Sequence, residues 1–286
     1  MNSQTISRRI AISEIEASIP ENLWRKNREF VSQLHDKVQQ HAISTHPCIK
    51  ALNEGRFSKA EMQKVHLDYR HAIVQIFTDA LLMSQYQCRQ LEPMLSPGGK
   101  MFPRFLLTLN ILDEFGFQTD GKGEHLGTPH NAHYPLFEKV LFELGISEED
   151  RNTYVPSNAS GRLRDFLELS YSRLDAVVAL LGVAEEVVVL FSAPLRRNVS
   201  SLGIDVSSGY YWCHGGSDDI DSQANDDTHA SDLRYILMQA LVPENYVYIE
   251  GLSLQYCDLW MNFWDCQMEK LTQKGREKEE RVLIRT

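Results

Sequence analysis

Carboxylates and imidazoles recur along this chain at positions where they can hold metal. Glu114 ends RFLLTLNILDE, with Ile111 (or Asn110) one turn back and Leu107 two, so its carboxylate can share the inner stripe of a helix. A helix C-terminus disfavours negative charge, so Asp113 and Glu114 just before Gly116 call for a nearby cation or for water. In GEHLGTPHNAHYPLFEKVLFELGI, His133 is the histidine followed by an amphipathic pattern: Leu136, Phe137, Val140, Leu141 and Leu144. His125 and His130 fall in a Gly/Pro/Asn-rich loop and are expected to face water.

AVVALLGVAEEVVVLF is apolar all round and therefore buried, yet it carries Glu185 and Glu186. Neighbouring helical residues point about 100° apart, so the two cannot both reach one solvent face. A buried carboxylate is costly unless paired, protonated or bound to metal. One of the two needs a partner inside the bundle, either a metal or an arginine such as Arg162, Arg164 or Arg173. YYWCHGGSDDIDSQANDDTHASDL, residues 210–233, places Asp226 and His229 at i, i+3, a spacing that suits a metal centre in a helical bundle. His214 and Asp218 stand at i, i+4, although Gly215 and Gly216 weaken any helix joining them, and a solvated acidic loop fits 217–225. Imidazole with carboxylate suits iron, manganese or zinc, and bridging carboxylates suit a two-metal centre.

The elements that must position these groups are helical. Periodicity predicts helices over 22–42, 58–86, 101–116, 133–145, 161–192, 227–241 and 246–272. Ser58 three residues before Glu61 has the form of a capping box, and Gly116 and Gly145 stand where helix C-caps are wanted. LEPMLSPGGK reads as a connector, and VYIEG near 247 is the one short strand-like run. The expected fold is all-α: a single bundle over 21–272, a loosely ordered leader at 1–20 and a charged, solvated tail at 273–286.

The 286 residues suffice for one large core, and their composition (43% hydrophobic, 24% charged) is that of a globular protein. A net charge of −10 argues against nucleic acid and anionic membranes as partners. Five scattered cysteines without a C-x-x-C pair fit reduced thiols and a cytoplasmic setting. No signal peptide is evident, and the apolar run 176–191, interrupted by two glutamates, is too short to span a bilayer comfortably.

In order and spacing, four blocks resemble the haem-oxygenase-like helical superfamily, which includes TenA proteins, the PQQ-synthesis oxidase, CADD and the haem-oxygenase-like di-iron oxidases. The blocks are HPCIKALNEGRFSKAEMQKVHLDYRHAIVQIF (46–77), NILDEFGF with HYPLFEKVLFELGI, LLGVAEEVVVLF (180–191), and YYWCH with DDTHASDL. The resemblance covers roughly residues 40–265 and implies a haem-oxygenase-like bundle of about seven or more helices. For the di-iron branch it implies the ligands Glu114, His133, Glu186, His214, Asp226 and His229, with Glu185, His130 and Asp218 as rivals. Two departures stand out: a long stretch between Glu114 and His133, and eleven residues between His214 and Asp226 where the family has three. The chemistry implied is O2 activation by two ferrous ions to oxidise a small molecule, by amine N-oxygenation or oxidative C–C cleavage of an amino or carboxylic acid. Tyr69, Phe77, Tyr210, Tyr211 and Trp212 are the expected pocket lining, and a tyrosine near the metals is itself open to oxidation. An external electron donor and a homodimer are the expected partners. The alternatives are a metal-independent oxidase or TenA-like enzyme on the same scaffold, and a non-enzymatic interaction protein. No cysteine matches the thiaminase nucleophile; Cys88 and Cys213 fall in other blocks.

Overall fold

The computed structural model describes residues 3–92, 94–119, 125–213 and 225–283. It is an all-α bundle. In chain order the helices are α1 (Ser3–Ala17), α2 (Glu21–Gln39), α3 (Pro47–Asn53), α4 (Lys59–Tyr69), α5 (Phe77–Gln87), α6 (Met101–Glu114), α7 (His133–Glu143), α8 (Glu148–Thr153), α9 (Asn158–Leu169), α10 (Leu174–Ser201), α11 (Tyr210–Cys213), α12 (Asn225–Ala240) and α13 (Tyr246–Leu283). VYIEG forms the start of α13, and the charged tail continues that helix to Leu283.

α10 is the axis of the bundle and packs against α3, α5, α12 and α13. Among the described residues it is the helix long and apolar enough to cross a membrane, but it is largely buried within the protein. From α13, Trp260, Phe263 and Trp264 are fully buried, and the ring of Trp264 stacks on Phe191 of α10 at 4.0 Å. All five cysteines are free thiols.

Three predicted boundaries change. The leader is not loose: α1 buries Ala11 and Ile15 and packs on α6 and α12, and Arg8 binds the buried Asp232 of α12 at 2.9 Å. Among the described side chains of α1 two are buried, too thin a stripe for periodicity to reveal. The helix expected over 161–192 breaks at Ser170–Ser172, where the Ser170 hydroxyl donates to the Leu167 carbonyl and competes with the helical ladder. The helix expected over 58–86 carries a π-helical turn at Arg70–Val74, with the Gln75 N–H donating to the Arg70 carbonyl at 3.1 Å. The extra residue lets Tyr69, Ile73, Val74 and Phe77 all line one cavity.

The predicted caps form. Both halves of the Ser58–Glu61 capping box are made, and Gly116 and Gly145 adopt φ of +75° and +79°. Asp68 fastens three elements together. Its fully buried carboxylate accepts from the Tyr154 hydroxyl at 3.0 Å, the Ser157 N–H at 2.8 Å and the Gln267 amide at 2.9 Å. These bonds join α4 to the segment before α9 and to α13.

Candidate metal centre

Four helices bring Glu114, His133, Glu185 and His229 together in the core. All four are at least 95% buried. Glu114 is the last residue of α6 and His133 the first of α7, and the chain between them leaves and returns through a small hairpin. Phe117–Thr119 pairs antiparallel with His125–Gly127, which closes the long intervening stretch at its base. Gly116 is the point of return. A Cβ there would lie 2.4 Å from the Asn131 carbonyl carbon and 2.7 Å from the Ala132 nitrogen, so the backbone before His133 rests directly on this glycine. The contact sets Nδ1 of His133 3.0 Å from Oε2 of Glu114.

A second pair forms between α10 and α12, where Nδ1 of His229 lies 3.5 Å from Oε1 of Glu185. Oδ2 of Asp113 sits between the pairs, 3.4 Å from Nε2 of His229 and 4.0 Å from Nε2 of His133.

Glu186 does not join the cluster, and the expectation that it is the ligand is corrected. One residue further round α10, it turns to α2 and accepts from His35 at 2.7 Å and Gln39 at 2.9 Å. Of the arginines considered above, Arg164 binds Glu168 and Arg173 binds Asp175. His130 is exposed in a 3-10 turn and is no ligand of this cluster. His214 and Asp218 lie outside the described residues, as do the side chains of Asp226 and His125. The backbone of Asp226 belongs to α12, one turn before His229.

The electrostatics are those of a site that demands positive charge. Burial opposes protonation of His133, but Glu114, Cys213 and Asp113 outweigh it and hold the imidazole well above the usual histidine range. Burial likewise opposes protonation of His229, which Glu185, Glu114 and Asp113 raise to about 9. One turn on, burial lifts Asp232 to about 6 against the opposing pull of Arg8 and His229.

Glu114, His133 and Glu185 line a cavity of about 30 Å³, which Tyr69, Phe77 and Tyr210 help to wall. That volume holds about one water-sized group and no organic substrate. Tyr211 is buried behind this wall, and Trp212 is exposed. A larger groove of about 930 Å³ lies between α1, α5 and α6, lined by Ile10, Leu82, Tyr86, Met101, Phe105 and Arg104 among others, without imidazoles or thiols.

Among the described residues, no three His, Cys, Asp or Glu side chains already surround one point as ligands. The donors nonetheless suit a metal such as iron. Atoms bound about 2.1 Å from one ion lie about 3.0–3.4 Å apart, close to the spacing within each Glu–His pair. Asn110, one turn before Glu114 and fully buried, has no hydrogen-bond partner for either amide atom among the described residues. An orphaned amide at this depth is costly, and a hydrated ion beside Glu114 would satisfy it. Asn110 and Asp232 are the polar groups of the site that sequence patterning had not singled out as ligands or partners.

Gly116→Ala is expected to disturb this centre. The left-handed backbone costs about 1–2 kcal/mol for any other residue, and here the new methyl also meets backbone that cannot yield freely. Gly145→Ala provides the control, since its nearest obstacle is the flexible Lys59 side chain at 3.4 Å. Thermal melting should show both losses, while metal counting should show a deficit only in the Gly116 variant.

No protein-family model matches the sequence, and no curated protein does. Solved structures do match. A CADD-like protein of unknown function from Nostoc punctiforme PCC 73102 is 17% identical, covers 86% of this chain and 99% of its own, and superposes with a TM-score of 0.61. A domain of unknown function with a heme oxygenase-like fold from Shewanella denitrificans OS217 is 14% identical over 88% of this chain and 94% of its own, at a TM-score of 0.57. A TenA homolog from Pseudomonas syringae pv. tomato DC3000 is 13% identical over 86% and 93%, at the same TM-score of 0.57. The chain has the haem-oxygenase-like fold.

Proposed function

We propose that the protein is a non-haem iron enzyme that uses O2 to oxidise a small molecule. The observation that carries this reading is the pair of buried Glu–His couples, Glu114–His133 and Glu185–His229, with Asp113 between them. These residues, completed by His214 and by Asp226 or Asp218, would hold two ferrous ions. Bound iron supplies the electrons and Lewis acidity that activate O2 beside a substrate such as an amine or an amino or carboxylic acid.

The chain's own groups set the conditions. Tyr69, Phe77 and Tyr210 wall the cavity with aromatic rings, and the π-helical turn that carries two of its aliphatic walls is where the lining can shift to admit substrate. His133 and His229 hold protons that a metal must displace. An external electron donor, a cytoplasmic setting and a homodimeric state complete the proposal.

Anaerobic Fe(II) titration tests it: about two equivalents should bind, and O2 should then produce a transient chromophore. Failure of both sinks the reading. Affinity should also rise with pH, about tenfold per unit for each proton displaced, until pH passes the value of about 9 held by His229. In metal-free protein the sign is opposite. A raised histidine pKa adds stability that is complete below its unfolded value of about 6.5 and is lost as pH climbs through the folded value.

One observation favours the TenA-like alternative. Cys213 is one of the groups that raise His133, so a thiol and an imidazole are neighbours there. Cys88 offers no such chemistry, since burial pushes its thiol up to about 12. Under that reading chelators leave turnover intact and alkylation of Cys213 removes it; under the iron reading chelation abolishes it.

A further inference from the structure

Behind the cavity wall lies a polar pair that the metal chemistry above does not use. His66 of α4 and Tyr211 of α11 are both buried, and Nε2 of His66 lies 2.5 Å from the Tyr211 hydroxyl. The other ring nitrogen fixes the proton arrangement. Nδ1 of His66 lies 2.7 Å from the Met62 carbonyl, which can only accept, so Nδ1 carries the hydrogen. Nε2 is therefore an acceptor and the Tyr211 hydroxyl donates to it. Burial holds His66 down to about 4, so it is neutral and its Nε2 lone pair is open to the Tyr211 hydroxyl. Burial and Tyr69 hold the Tyr211 phenol well above its usual range, so it does not ionise by itself.

The pair adjoins the cavity. The Tyr211 ring meets the edge of Tyr210 at 5.7 Å between centroids, and Tyr210 lines the cavity with Glu114 and His133. A phenol that cannot ionise, bonded to a neutral base and one ring from a metal-sized cavity, has the arrangement needed for coupled loss of an electron and a proton.

We propose that Tyr211 is a redox-active tyrosine that gives one electron to an oxidant generated in the cavity and its hydroxyl proton to Nε2 of His66. The step breaks the Tyr211 O–H bond and forms an N–H bond, leaving a neutral tyrosyl radical beside an imidazolium that still donates to Met62. The oxidant is reduced by one electron. Return of an electron draws the proton back and restores the phenol, so the residue is not consumed. The identity of the oxidant as a product of iron and O2 rests on the function proposed above, whereas the chemistry of the pair does not.

The test therefore uses full-length, metal-free protein and photogenerated ruthenium(III) tris-bipyridine as the one-electron oxidant. Freeze-quenched samples should show the electron paramagnetic resonance signal of a neutral tyrosyl radical, narrowed by ring-deuterated tyrosine and coupled to a solvent-exchangeable proton. Tyr211→Phe should reduce its yield at least tenfold. His66→Gln should remove the exchangeable-proton coupling and shorten the radical's lifetime. Histidine labelled with ¹⁵N in the unmutated chain should add a nitrogen coupling, which keeps the test decisive if a variant fails to fold. Absence of a tyrosyl radical in the unmutated chain, or an undiminished signal in folded Tyr211→Phe, overturns the proposal. A coupling unchanged in His66→Gln overturns the role of His66. Failure of the protein to bind iron would count against the proposed function and leave this result standing.

Discussion

Glu185→Ala is expected to abolish tight Fe(II) binding, while Glu186→Ala leaves it intact. The two residues are neighbours of the same type, so the contrast isolates geometry from chemistry. Glu185 is buried against His229 and lines the cavity that also holds Glu114 and His133. Loss of a group that merely supports a ligand commonly costs 10–100-fold in affinity, so loss of the ligand itself should cost more than about 100-fold. Glu186 instead ends in a partly solvated contact with His35 and Gln39. Partly exposed pairs of this kind contribute about 1 kcal/mol or less. Isothermal titration with Fe(II) under anaerobic conditions checks both, and equal losses in the two variants would show that the metal site has been misplaced on α10.

Asp68→Ala should be the most destabilising single change outside the centre. The substitution strands three donors at once: the part-buried Tyr154 hydroxyl and Ser157 N–H and the fully buried Gln267 amide. Breaking a buried charged network by removing one partner costs about 3–5 kcal/mol. For a chain of this size that corresponds to a fall in Tm of roughly 10 °C. Asp68→Asn keeps one acceptor oxygen and should fall in between. A thermal or urea melt that shifts by less than about 1 kcal/mol for the alanine variant would mean that water replaces the carboxylate.

The fold class was legible because long apolar stripes at helical spacing dominate the sequence and strand alternation is almost absent. Glu114, His133 and His229 were legible for a local reason, since each sits at or near the end of a patterned helix, where a carboxylate or an imidazole is conspicuous. Choosing between Glu185 and Glu186 was harder because α10 is apolar on every side. The buried stripe Val178, Leu181, Glu185, Val188, Ser192 and Leu195 does have the right spacing, whereas Glu186 falls in line with Gly182 and the half-exposed Val189. Some features left no local signal. Strands of three residues are too short to alternate visibly, and a π-helical turn is one extra residue hidden in an apolar run. The His66–Tyr211 bond joins positions 145 residues apart, and the packing of α4 and of α11 against α7 makes them neighbours.

The first seventeen residues have a practical consequence for anyone preparing this protein. Trimmed as a dispensable leader, they would take with them Arg8, which binds Asp232 from the outer side of α12. That carboxylate is already pushed up to about 6 by burial, and without its counter-ion it would favour the protonated form still more strongly. It lies one helical turn from His229, so truncation removes the guanidinium and disfavours the charged carboxylate beside the centre, which changes the site's preference for cations. A shortened protein that fails to load iron would report on the missing strap, and a full-length sample is the one on which metal content should be judged.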